Sequence, residues 1–168
     1  MFFVNLSGPI NAGKTTVGRL LPEMIGNAVF VDVDELLPDE EQMQLGLGFH
    51  EGIALRLDRL DSLIEREKRL RRYRYLFFAY PMSWGNFRRW KAWENGTDRV
   101  ICITLSPSFE ICIGNRGGRE LSAWEIKRIG EMYKQGYHNP ECSDLIICND
   151  KQSPKETAEE IRKFLFLF

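Results

Sequence analysis

The sequence predicts a doubly wound α/β fold, a five-stranded parallel sheet with helices on both faces. Three observations point to it. Short apolar runs of strand length alternate with stretches of helical periodicity along the whole chain. Most of those runs are nearly continuous, as strands covered by helices on both faces require. A glycine-rich turn joins the first apolar run to the first helical stretch, and in such sheets ligands bind beyond the carboxyl ends of the strands.

The elements follow in order. Phe2 to Leu6 is apolar, has no basic leader and runs straight into Gly8, so it reads as a first strand rather than a signal peptide. A helix from Lys14 to about Ile25 follows, then a strand over Ala28 to Val33. Two helical stretches come next; the second carries Phe49, Ile53, Leu57, Leu60 and Ile64 at steps of three or four, one buried stripe. Tyr73 to Tyr80 is a strand, Phe87 to Glu94 a helix, and Arg99 to Leu105 a strand. Helical stretches over Pro107 to about Ile113 and Ser122 to Gln135 precede a strand at Asp144 to Cys148. Ser153-Pro154, an N-cap with proline at the first helical position, opens a last helix to Leu165. No low-complexity linker or internal repeat interrupts the series, and 168 residues make a single domain the expectation for 1–168.

With 23 Lys and Arg against 24 Asp and Glu, the chain has no global basic field, and nucleic acid is not an expected partner. The one strongly basic run, Glu65 to Arg74, ends a helix, where cations suit the dipole, and reads as a solvated face. Apolar runs fall short of the roughly 20 residues that span a bilayer, so the expected location is the cytoplasm with no membrane partner. Cys102, Cys112, Cys142 and Cys148 have no CxxC spacing, and His50 and His138 are isolated, so neither disulfide nor metal use is expected of them. The terminal Phe164-Leu165-Phe166-Leu167-Phe168 is read as packing of the last helix on the sheet, with an oligomer contact as the alternative; monomer and homodimer both stay open.

Gly8-Pro9-Ile10-Asn11-Ala12-Gly13-Lys14-Thr15 fits G-x-x-x-x-G-K-[ST] without a mismatch, between a strand and a helix as the motif demands. Its glycines let successive backbone N–H groups turn toward phosphate oxygens, and the helix N-terminus adds partial positive charge. Gly8, Asn11, Ala12, Gly13, Lys14, Thr15 and Thr16 are the candidate nucleotide-binding residues, with Lys14 on the β- and γ-phosphates and the Thr15 hydroxyl on Mg²⁺. A GTPase would show Asn-Lys-x-Asp and Asp-x-x-Gly; neither occurs. A motor or transport ATPase usually ends an interior strand in a metal-binding acid, whereas this strand ends in Tyr80-Pro81-Met82-Ser83. The acids sit instead in Val31-Asp32-Val33-Asp34-Glu35, two carboxylates two residues apart and hence on one side of the strand end.

Gly8 to Thr15 followed by Asp32-x-Asp34 resembles the small phosphate-loop kinases, notably shikimate kinase, and is similar to chloramphenicol phosphotransferase-like and adenylylsulfate-kinase-like proteins. Met1 to about Leu37 carries most of the resemblance, and Tyr137-His138-Asn139-Pro140 to Asp150 looks like the end of those chains. The resemblance implies transfer of the ATP γ-phosphoryl group to a small-molecule hydroxyl, with Asp32 holding magnesium through water. A hydroxyl acceptor needs a carboxylate to orient it and take its proton, and Asp34 is the candidate base. The other reading of Asp32 to Glu41, which holds six acids and no bases, is a solvated acidic turn.

Arg56 and Arg59, neighbours on one face of the long helix, are candidate binders of an acidic acceptor, with surface pairing to Asp58 or Asp61 as the alternative; the acceptor segment is expected at about 38–72. Shikimate kinases have a glycine triplet after the third strand, where this chain has Pro81-Met82-Ser83-Trp84, so an acceptor other than shikimate is expected. Trp84 and Phe87 suggest a larger or flatter acceptor surface, against simple core packing. Gly114-Asn115-Arg116-Gly117-Gly118-Arg119 reads as a lid (about 114–122) whose Arg116 or Arg119 would neutralise charge on the transferring phosphate, with an exposed basic turn as the alternative. The resemblance places Asn149 to Pro154 beside the adenine ring. Two other functions stay open: a nucleoside or nucleotide kinase, and an ATP-binding module without efficient catalysis.

Overall fold

The computed structural model of the protein describes residues 1–114 and 120–168. Its strands are β1 (Phe2–Ser7), β2 (Ala28–Asp32), β3 (Tyr75–Ala79), β4 (Arg99–Leu105) and β5 (Leu145–Ile147). They form one parallel sheet in the order β2-β3-β1-β4-β5, which puts β1 and its glycine turn at the centre and β2 at an edge. The helices are α1 (Lys14–Ile25), α2 (Asp39–Gln44), α3 (Phe49–Leu70), α4 (Trp84–Lys91), α5 (Phe109–Ile113), α6 (Ala123–Lys134) and α7 (Pro154–Leu165), with a 3-10 turn over Val33–Leu36.

Side chains alternate across β1 and so feed two cores. Val4 and Leu6 pack with Val17 and Leu21 of α1 and Ile161 and Leu165 of α7. Phe3, on the other face, packs with Leu60 and Ile64 of α3 and with Trp90 and Trp93. Asn5 and Ser7, fully buried toward that second face, spend their polarity on the chain that leaves β3. The Asn5 amide donates to Tyr80 O (3.1 Å) and Ser7 Oγ accepts from Met82 N–H (2.8 Å). These bonds fix the segment after β3 against the root of the glycine turn.

Several boundaries differ from expectation, each for a local reason. The helix expected from Phe87 begins at Trp84, because Ser83 Oγ accepts the Asn86 N–H (3.2 Å) and caps it there. Asp39, Glu40 and Glu41 lie in the first turn of α2, where acidic side chains suit the dipole. Phe49 is 59% exposed rather than part of the buried stripe: it opens α3 at the solvent end, burial starts about one turn later at Gly52, and the first buried side chains, Arg56 and Leu57, come about two turns on. Of the C-terminal apolar run, Leu165 is buried, while Phe166, Leu167 and Phe168 face solvent.

The basic run is largely neutralised by nearby acids. Glu67 accepts from Arg66 and Arg72, Lys68 pairs with Glu65, and Arg71 binds Asp98. Asp98 is fully buried and also receives the Met1 ammonium (3.0 Å) and the Asn95 amide (2.8 Å). Burial pushes its pKa up, but the Arg71, Met1 and Asn95 bonds outweigh this and hold it down at about 2. Among the described residues, no helix is long and apolar enough to cross a membrane.

Candidate active site

The glycine turn is shaped by backbone constraints that only certain residues meet. Gly8 has φ +132°, and a Cβ there would lie 2.3 Å from the Leu105 carbonyl oxygen of β4. Gly13, the last residue before α1, has φ +94°, and Asn11 takes a left-handed φ of +64°. The Asn11 amide donates to Cys112 O (2.8 Å) and Gly114 O (3.3 Å), tying the turn to the end of α5. From the other side the buried Asn149, just beyond β5, donates to Ala12 O (3.1 Å). Lys14 Nζ donates to Gly8 O (3.1 Å) and Pro9 O (2.6 Å), so its ammonium lies over the turn.

The acids of β2 meet this turn directly. Thr15 Oγ1 donates to Asp32 Oδ2 at 2.7 Å, while Asp32 Oδ1 accepts the Asp34 N–H (3.2 Å) and starts the 3-10 turn. Asp32 therefore holds two things at once: the threonine at the head of α1 and the backbone that aims Asp34. Burial raises the Asp34 pKa above the ordinary aspartate value and the Asp32 charge raises it further, against the pull of Arg56 and Lys14. A carboxyl shifted in this direction is the better proton acceptor once ionised.

Lys14, Thr15, Thr16, Asp32, Asp34 and Arg56 line one cleft of about 960 Å³, together with Asn11 and Gly13. Gly8 and Ala12 shape its floor from behind; Ala12 is fully buried. Pro81, which the sequence marks only as a departure from the glycine triplet, and Asp39 of the acidic turn also line it, as do two residues that sequence reasoning did not single out, Trp124 and Glu125. The last two sit at the start of α6, brought opposite β2 only by the tertiary fold.

The two arginines of α3 part company. Arg56, buried and in the cleft, donates from Nε to Leu37 O (3.2 Å) and pairs with Asp39 (3.2 Å). Arg59 lies outside the cleft lining and clamps Leu36 O (2.7 Å) and the Glu41 carboxylate (2.6 and 2.9 Å). Neither pairs with Asp58 or Asp61, the partners of the alternative reading. Those carboxylates are taken by Arg89 of α4 (2.6 and 2.8 Å), and Asp61 also by the Trp93 indole (3.0 Å). Arg116 and Arg119 lie outside the described residues.

Among the described residues no cluster of three or more His, Cys, Asp or Glu is arranged to hold a metal by itself. Mg²⁺ keeps several waters and takes one or two carboxylates plus substrate phosphates, so a site for it asks few groups of the protein. The bonded oxygens of Thr15 and Asp32 are the residues that fit it.

No family model matches the chain. The chain is 31% identical over 165 residues to the shikimate kinase of Persephonella marina, covering 94% of this chain and 95% of that protein. Among solved structures it is similar to shikimate kinase from Acinetobacter baumannii in complex with shikimate (TM-score 0.65, 20% identity, 98% of this chain and 92% of that one). It is also similar to the tunicamycin resistance protein of Deinococcus radiodurans (TM-score 0.67, 16% identity, 97% and 94%). With a glycine turn anchored on a central parallel strand, an aspartate pair facing it, and a relative of that identity along nearly its whole length, the chain belongs to the shikimate kinase family of phosphate-loop kinases.

Proposed function

We infer that the protein is an ATP- and Mg²⁺-dependent kinase that moves the γ-phosphoryl group onto a hydroxyl of a small molecule other than shikimate. The observation that carries this reading is the 2.7 Å bond from Thr15 to Asp32, which draws the acid-bearing end of β2 against the phosphate turn and so places Asp34 in the same cleft as Lys14. The whole chain acts as one kinase unit, with the acceptor segment at about 38–72 and a lid at about 114–122 bearing Arg116 and Arg119.

The roles follow from the groups present. The backbone N–H groups of the turn and the head of α1 receive the phosphates, and Lys14 bridges the β- and γ-oxygens. Thr15 and Asp32 would hold Mg²⁺, which would supply charge neutralisation on the transferring group. Asp34 accepts the hydroxyl proton as the acceptor oxygen bonds to the γ-phosphorus and the bond to the β–γ bridging oxygen breaks, leaving ADP. Arg56 orients the acceptor beside Asp34. Pro81, Met82 and Ser83, in place of the glycine triplet of shikimate kinases, present side-chain bulk and a proline without an N–H, which supports an acceptor of different shape.

ADP release, followed against a mixed panel of sugars, shikimate-like acids, nucleosides and antibiotics, tests this. Lys14→Ala abolishes acceptor-dependent release. Asp34→Asn keeps ADP affinity and slows transfer by about 10²–10⁴-fold, the usual worth of a positioned base. Normal turnover in Asp34→Asn overturns the assignment of the base, and ATP binding with no acceptor in the whole panel favours a binding module.

A further inference from the structure

A second cavity, of about 530 Å³, adjoins the phosphate cleft and has no part in the chemistry described so far. The same two segments supply different residues to each. The segment after β3 gives Pro81 to the cleft and Met82, Ser83 and Trp84 to the second cavity. Helix α6 gives Trp124 and Glu125 to the cleft and, one turn on, Arg128 to the second cavity. Tyr80, next before Pro81, is a shared neighbour: burial raises its pKa, and Asp34 of the cleft pushes it further up against the pull of Arg56, with Tyr137 of the second cavity adding to the rise.

The lining is built to hold a flat group. Trp84 is 56% exposed, which is unusual for so large an apolar side chain, yet its indole is braced edge-on by Phe87 (5.7 Å, 90°) on a capped helix start. Tyr137 stands on a fixed loop: its N–H donates to Met132 O (3.0 Å), and the adjacent His138 ring stacks on Tyr133 (4.8 Å). A braced ring such as that of Trp84, with Tyr137 held by its backbone, presents area for stacking at low entropic cost.

Its charge is unsuited to an acid. Among the described residues the one cation in the lining, Arg128, is paired with Glu131 (3.1 Å) and bonded to Gln135 (3.4 Å), and Glu141 lines the same space. A carboxylate there would meet a neutralised guanidinium and a second carboxylate. Amide and ion-paired groups around aromatic rings suit an uncharged planar ring with a few polar edges.

We propose that this second cavity is a subsite for an uncharged planar ring of the acceptor, stacked on Trp84 and Tyr137, with the acceptor's hydroxyl reaching over Pro81 to Asp34. The subsite rests on the kinase reading for its place beside Asp34, but ring binding itself does not. Nucleosides and aryl glycosides share the required chemistry, a planar ring on a hydroxylated frame.

The test measures binding of uridine, 4-nitrophenyl glucoside and shikimate by ligand-observed NMR in the presence of ADP and Mg²⁺, and then phosphoryl transfer to each. At least one of the two planar probes binds about tenfold tighter than shikimate, and which of them binds separates the two sources. Trp84→Ala weakens that probe by about tenfold, the worth of one stacked ring, and leaves ADP affinity unchanged. Trp84→Phe restores most of the loss, and Lys14→Ala leaves ring binding intact. Shikimate binding tighter than both planar probes overturns the proposal, as does planar binding indifferent to Trp84→Ala and Tyr137→Ala. Ring binding that depends on Trp84 without any phosphoryl transfer supports the subsite and refutes the kinase reading. Transfer to shikimate or an open-chain polyol, unaffected by Trp84→Ala, keeps the kinase reading and refutes the subsite.

Discussion

A single methyl group added at Gly8 reaches both the stability and the nucleotide site of this protein. At φ +132° the Gly8→Ala Cβ would stand 2.3 Å from Leu105 O and 3.2 Å from the Ala12 Cβ, where side-chain carbons keep at least 3.0 Å. The obstacle at Leu105 is main chain of a buried strand, not the end of a mobile side chain, so the turn itself must move by at least 0.7 Å from β4. Holding a non-glycine residue in such a backbone region costs about 1–3 kcal/mol. Forced displacement in a packed site costs about 1–3 kcal/mol more, and partial relaxation brings the sum to roughly 2–4 kcal/mol. For a chain of this length that lowers the melting temperature by about 5–15 °C. The displaced N–H groups no longer converge on one phosphate position, so ADP affinity falls by about tenfold or more. Gly96→Ala is the control, since Gly96 has no positive φ and a Cβ there meets nothing within 4 Å. Thermal unfolding by circular dichroism and ADP titration by calorimetry read both effects. A Gly8→Ala protein that melts with Gly96→Ala and binds ADP as tightly refutes the reasoning.

Two further perturbations test other parts of the fold. The Asp98 pKa is depressed to about 2, so its ion-pair stabilisation is fully present above the unfolded value near 3.8 and is lost as pH falls through about 2. That difference is worth about 2 kcal/mol; denaturant unfolding of Asp98→Asn between pH 6 and 2 shows a lower stability at pH 6 and a shallower decline than the parent, and parallel declines refute the assignment. Arg56→Ala raises the acceptor KM by about tenfold with ADP affinity unchanged, whereas Arg59→Ala lowers the melting temperature slightly and leaves acceptor KM within about twofold. Equal effects of the two on KM would show that both arginines bind acceptor.

The sheet and the phosphate turn were legible because their signals are local. Uninterrupted apolar runs mark strands covered on both sides, and the fit of Gly8 to Thr15 places a helix start and a lysine in register. Asp32 and Asp34 do line one cleft, but not through the strand step the spacing suggested: β2 ends at Asp32, and Asp34 is turned inward by the 3-10 turn that Asp32 caps. What sequence spacing could not distinguish was Arg56 from Arg59. Both lie on one helix face, and their partners, Leu36, Leu37, Asp39 and Glu41, arrive through a 3-10 turn and a short helix whose path no periodicity encodes. Asp58 and Asp61 looked like intrahelical partners, but Arg89 reaches them across some 30 residues of chain with the Trp93 indole. Trp124 was unreadable as a cleft residue, because its helix meets the turn only when β4 has placed it there. The apolar C-terminus divides: Leu165 is buried and Phe164 packs partly buried against the core, as the composition suggested, while Phe166, Leu167 and Phe168 stay exposed.

The sheet order also bears on how such an enzyme can change its acceptor over evolutionary time. The phosphate turn grows from β1, paired on both sides, with its shape fixed by backbone of β4 and by Asn149, so substitutions there disturb the centre of the molecule. Arg56 and Asp39, by contrast, stand on helices outside the sheet, and the cavity behind Pro81 is walled by α4, α6 and a loop. Asp34 sits where the two regions join, just past the edge strand β2. On the proposed reading, phosphoryl chemistry and acceptor recognition are thus borne by separable parts of one small chain, so a change on the acceptor side need not disturb the strands that carry the phosphate turn.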